Sequence, residues 1–167
     1  MIKCLLLITF SMLWANPHHS SNLSTAARNR LVGTWSLMAV ENTYADGRVT
    51  YPYGKNPAGR MILTNGGDYS IQILKSDRPN VAANNKAKGT QEENAALVKG
   101  SNSHFGRYVV DESNYTITFD VRHAFFPNWE GHLQVRSYTL KDKVLTYIVT
   151  NTTSGGKVKA RVAWQKK

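Results

Sequence analysis

The sequence predicts an all-β fold: an eight-stranded antiparallel up-and-down barrel with one short helix. Three observations lead there. Apolar and polar residues alternate with period two along about eight short segments, the spacing of half-buried strands. Turn-forming clusters such as Asp46-Gly47, Asn65-Gly66-Gly67-Asp68 and Asp142-Lys143 separate many of those segments, as hairpins require. Only Gln91–Lys99 reads as a helix, inside an Asn- and Lys-rich stretch (76–103) that interrupts the strand rhythm. Strands that follow one another through tight turns form an up-and-down sheet, and closing eight of them removes the exposed edges. A two-sheet sandwich is the alternative that strand count leaves open.

The first strand is Thr34–Asn42, with Trp35, Leu37 and Ala39 in alternation. Asp46-Gly47 turns the chain into Val49–Gly54, where Pro52 and the later Pro57 make an irregular loop or edge. Gly59–Thr64 and Tyr69–Leu74 form a hairpin, and strands resume after the helix at Phe105–Val110. Glu112-Ser113-Asn114 turns into Tyr115–Ala124, followed by the aromatic loop Phe125-Phe126-Pro127-Asn128-Trp129. Gly131–Leu140, Val144–Thr150 and Lys157–Gln165 complete the set, the last two joined across Ser154-Gly155-Gly156.

Ahead of the strands, Met1-Ile2-Lys3 gives a positive start, Cys4–Trp14 is apolar and uncharged, and Ala15 follows. Charge, apolar run and small residue in that order predict a signal peptide over 1–15, and hence a periplasmic or secreted protein. The run is shorter than the roughly 20 residues that span a bilayer. Residues 16–30 read as a flexible Ser-, Asn- and His-rich leader, and 31–167 as the barrel domain. Cys4 is the only cysteine, so cleavage leaves no disulfide, thiol nucleophile or thiolate ligand. About 150 remaining residues suffice for one domain with a proper core. The formal charge of +10 falls to +9 without Lys3. Such a basic balance favours acidic surfaces such as anionic lipid or polysaccharide. The charges are dispersed apart from a modest cluster at Lys157, Lys159, Arg161, Lys166 and Lys167, so a solvated face is the first reading and an envelope contact the weaker one. No nucleic-acid motif is present, and nucleic acid is not an expected partner.

The run Leu31-Val32-Gly33-Thr34-Trp35 resembles the opening strand of lipocalins, where a Gly-x-Trp begins the barrel. The stretch Asp46–Met61, then Phe105–Tyr108, His123, Pro127–Gly131 and Gln134–Arg136, is similar in order to the bacterial and fungal lipocalin-like domain family. The resemblance runs from about Leu31 to Lys166. It implies a calycin-type barrel with an internal cavity, and it leaves the activity open because fold does not fix function. It also implies that Trp35 closes one end under a late basic residue, Arg161 or Lys166. Gly33 would admit the backbone where a side chain would clash, and Trp164 would belong to the same framework.

Within such a barrel the candidate ligand-binding residues are Tyr51, Tyr53, Arg60, Phe119, His123 and Trp129. Period two places Tyr115, Ile117, Phe119, Val121 and His123 on one face, so an inward Phe119 carries His123 inward too. An inward imidazole could orient a ligand or act as a base near neutral pH. The alternative for His123 is a core histidine bonded to backbone. Tyr51 and Tyr53 with Arg60 could receive a polar head group, or simply lid the barrel over a solvated Arg60. Trp129 with Phe125 and Phe126 could gate a mouth or plug it. Arg107 and Tyr108 face opposite ways, and Arg136 shares a face with Tyr138 of unresolved direction. His104 and His132 lack ligand spacing, so no metal site is expected, and no cofactor motif appears. The leading expectation is a small, mainly apolar ligand in the interior. The alternatives are an isomerase or cyclase on a small hydrophobic substrate, with His123 as catalytic residue, and an envelope contact through the basic strand.

Overall fold

Among the described residues, nine strands form one antiparallel sheet that closes on itself. The computed structural model describes residues 29–150, 152 and 158–167. The expected signal peptide and most of the leader lie outside the described residues, as does Lys157. In chain order the strands are β1 (Gly33–Thr43), β2 (Val49–Thr50), β3 (Ala58–Leu63), β4 (Asp68–Leu74), β5 (Ser101–Asp111), β6 (Thr116–Ala124), β7 (Leu133–Lys141), β8 (Val144–Val149) and β9 (Lys159–Lys166). Each of β3 to β9 pairs with its neighbour in sequence, and β1 pairs with both β3 and β9. Eight strands thus make the closed barrel, and β2 is a short edge extension on β1, matching the proline-limited stretch around Val49.

Turn chemistry sets the connections. In the β3–β4 hairpin the Thr64 hydroxyl accepts from the Asp68 N–H at 3.0 Å, and the Gly67 N–H reaches the Thr64 carbonyl at 3.1 Å. Between β5 and β6, the Asp111 carboxylate accepts from the Ser113 hydroxyl and the Asn114 side chain. Tyr115 then adopts a φ of 50° and is exposed, so it belongs to the turn and not to the strand face expected of it. Helix α1 (Gln91–Lys99) begins with a capping box: the Thr90 hydroxyl accepts from the Glu93 N–H while Glu93 accepts from the Thr90 N–H.

The inward side chains sort into two ends. At one end Leu31, Trp35, Leu63, Ile117, Leu145 and Trp164 are fully buried and fill the barrel. Residues 29–31 form a helical turn ahead of β1, so this part of the expected leader is structured. Its Leu31 carbonyl accepts the Trp35 indole N–H at 2.9 Å, which satisfies the one polar group of a buried indole. Lys166, and not Arg161, lies across Trp35, its Nζ 5.4 Å from the ring centroid and 2.8 Å from the Arg30 carbonyl. Gly33 has a φ of 137°, and a Cβ there would stand 3.0 Å from Lys166 Cε. Arg161 instead pairs with Glu41 at 3.2 Å, which leaves the C-terminal basic cluster partly engaged.

Two β-bulges interrupt the period-two pattern. On β1 the register against β9 shifts between Leu37 and Ala39, so Val40 and Asn42 take the buried positions and the alternation through Ala39 ends there. On β6, Phe105 pairs with His123 but Gly106 pairs with Val121, which leaves Arg122 as the extra residue. Gly106 makes this possible, because a Cβ there would lie 2.0 Å from the Asp120 carbonyl oxygen.

Candidate functional site

At the end opposite Trp35 the barrel opens into a cavity of about 130 Å³. That is near the size of an interior void that takes up benzene. Inward residues from the C-terminal halves of β1, β4 and β8 and the N-terminal halves of β5, β7 and β9 line it together with Phe119 of β6, with Pro52, Tyr53, Trp129 and Thr152 contributed by the loops above. More than half of the lining residues carry a polar group, so the cavity is less apolar than the sequence suggests.

One wall is aromatic and centres on His104, which is only 8% exposed. Its ring meets Tyr69, Phe119 and Trp129 edge-on, at centroid distances of 5.4, 6.2 and 5.7 Å. The Tyr69 hydroxyl lies 2.9 Å from His104 Nδ1. Burial pulls the imidazole pKa down to about 4, and the Arg136 guanidinium pushes the same way, so His104 is neutral at neutral pH. Burial also raises the Tyr69 and Tyr147 phenols, Tyr147 to about 12.

The adjoining polar wall belongs to β7, where Gln134 pairs with Phe119 of β6. Gln134 and Arg136 point inward on this strand, while Leu133 and Val135 point to solvent. Arg136 Nη2 donates to Gln134 Oε1 at 2.7 Å and Nη1 to the Val135 carbonyl at 3.1 Å. Its pKa is lowered by burial, with the Tyr147 and Tyr69 rings acting against that effect. Tyr53, half-buried, hydrogen-bonds the Asn102 side chain, and burial raises its phenol.

Of the residues chosen from sequence, Tyr53, Phe119 and Trp129 line this cavity. Tyr51 is exposed and not among the lining residues, and Arg60 is exposed on the outer face of β3. Gly33, Trp35 and Trp164 stand at the filled end. The expectation of an inward His123 is corrected: its side chain is 67% exposed, with Nδ1 3.7 Å from Glu130 Oε1 and its ring 5.3 Å from that of Phe105. The β6 bulge is the reason, since one extra residue after Val121 turns the following side chain outward. The isomerase or cyclase alternative thereby loses its inward base. Tyr108 is the inward member of its pair, its hydroxyl donating to the Thr64 carbonyl at 2.9 Å, while Arg107 pairs outside with Asp68. Among the lining residues that sequence reasoning did not select are His104 and Arg136, the imidazole and the cation of the cavity. The available signal was their phase: His104 shares a strand face with Tyr108 and Val110, and Arg136 with Tyr138 and Leu140.

A closed antiparallel barrel, plugged at one end by a tryptophan-centred core and hollow at the other, defines a calycin-type protein. The lipocalin-like domain family model matches residues 32–167, and the chain belongs to that family. A crystal structure of a lipocalin-like protein from Bacteroides uniformis is similar over 83% of this chain and 99% of that chain, at 16% identity and a TM-score of 0.44. No curated protein matches the chain. The lipocalin-like barrel is a scaffold suited to small-molecule binding in general.

Proposed function

We propose that this is an exported lipocalin-like protein that holds one small molecule in the open end of its barrel. The observation that carries the reading is the 130 Å³ cavity: the barrel is filled around Trp35 but hollow beside His104 and Arg136. An aromatic wall beside a few convergent polar groups is the usual composition of a ligand pocket. Such walls bury an apolar body and orient a polar group, so an amphipathic molecule suits this cavity better than a wholly apolar one. Export rests on the order of charge, apolar run and Ala15 in residues 1–15.

Native mass spectrometry of the protein purified from a host that exports it tests both parts. The expected result is a chain beginning at Asn16 that carries a molecule released on denaturation. A cytosolic chain retaining Met1 would refute export. A protein that takes up no small molecule from extracts or from an aromatic and aliphatic library would refute binding.

A further inference from the structure

We infer that the ligand is a small organic acid, with an apolar body against Phe119, Ile73 and Val162 and a carboxylate paired with Arg136. The inference rests on the cavity-binding reading above and specifies its ligand.

The starting point is the inverted alternation of β7. Leu133 and Val135 are 69% and 55% exposed while Gln134 and Arg136 occupy the interior. Burial alone rewards the reverse arrangement, because removing a leucine or valine from water stabilises and removing a guanidinium is penalised. All eleven Asp and Glu side chains of the chain lie among the described residues, and none comes within 4.0 Å of Arg136. Those near the open end are committed elsewhere: Asp120 faces Arg122 at 3.7 Å, Glu130 faces His123, and Glu41 holds Arg161. No carboxylate of the chain pairs with Arg136, so an anion from outside would complete it. Two of its five N–H groups are used by Gln134 and the Val135 carbonyl, and Gln134 fixes the plane of the fork. A planar guanidinium with free donors matches a carboxylate better than a spherical or tetrahedral anion.

The surroundings fit the rest of such a molecule. Neutral His104 adds no competing charge, and Phe119 and Trp129 line the cavity within the same aromatic cluster. Among the described residues the Thr152 hydroxyl and the Asn102 carbonyl oxygen, both lining the cavity, are buried without a hydrogen-bond partner. They stand ready for a second polar group on the ligand. The cavity volume limits that body to a single ring or a short chain.

Isothermal titration with matched probes tests the inference: benzoate against benzamide, and hexanoate against hexanamide, at pH 7.5 and low salt. The acids are expected to bind at least about tenfold more tightly than their amides. Arg136→Gln is expected to abolish the preference by weakening the acids to the level of their amides, and Arg136→Lys to keep part of it. Thermal unfolding of each variant shows whether it folds; if Arg136→Gln does not, the lysine variant and the wild-type preference decide. Amides binding as tightly as acids would overturn the inference and leave the cavity reading standing. Stabilisation by sodium chloride or inorganic phosphate equal to that by benzoate would overturn its organic part. Binding of none of the four probes would overturn the cavity reading for molecules of this size, and the inference with it.

Discussion

His104 is held neutral twice over, by burial and by the positive charge of Arg136, with its pKa pulled to about 4. In the unfolded chain the imidazole takes up its proton as pH falls through about 6.5, whereas the folded protein accepts it only near the lower value. The unfolded state therefore binds more protons between those limits. Stability is full above pH 6.5, falls as pH drops toward 4, and changes no further through this group below that. The swing amounts to roughly 3 kcal/mol. Urea unfolding of wild type and His104→Phe across pH 4 to 7.5 checks it: the variant should lose most of the acid-side slope, and an unchanged slope would place the proton elsewhere. At this scale the sequence was legible where one residue type has one use. Trp35, which the resemblance puts at one barrel end, is fully buried with its indole N–H on the Leu31 carbonyl. His104 was not legible, because the adjacent Phe105 looks like the better interior residue, yet Phe105 is 52% exposed. Hydrophobicity names the favourable member of a pair, but the phase of the strand decides which one is inside.

Elements were read more securely than faces. The helix over Gln91–Lys99 and most strand limits agree with the alternation and turn signals to within a few residues. What escaped is a bulge, which adds one residue to one strand and so reverses every later side chain on it. Past Leu37 this moved Val40 into the core, and past Val121 it moved His123 out. A bulge depends on tertiary contact between two strands, so no local pattern in β6 alone announces it. Its cause lies in β5, where Gly106 leaves room for the Asp120 carbonyl. Gly106→Ala should force backbone against backbone and cost at least about 2 kcal/mol in denaturant unfolding. A loss near zero would mean that the β5–β6 pair can re-register, and that the outward position of His123 is not fixed by this glycine.

Closure is a property of the whole molecule. The β1–β9 pairing runs from Trp35 against Lys166 to Thr43 against Lys159 and joins the first strand to the last. The filled end depends on it, because Trp35 and Trp164 come from the two strands it unites. Removing residues 162–167 deletes Trp164, the lysine over Trp35 and most of the closing register. The shortened chain should lose cooperative thermal unfolding, whereas a sharp transition near the wild-type midpoint would show that the remaining strands close without β9. Cavity and plug occupy opposite ends, so a ligand should stabilise the fold without disturbing the Trp35 cluster. Any molecule bound only by the folded barrel raises its melting temperature in proportion to the logarithm of concentration.

Amide and side-chain NMR shifts during titration with benzoate report whether a small molecule enters this interior. Saturable shifts confined to Tyr53, Asn102, His104, Phe119, Arg136 and Tyr147, with Leu31 and Trp35 unmoved, are the predicted result. Shifts on the outer face around Phe105, His123 and Val135, with the lining residues unmoved, would contradict it.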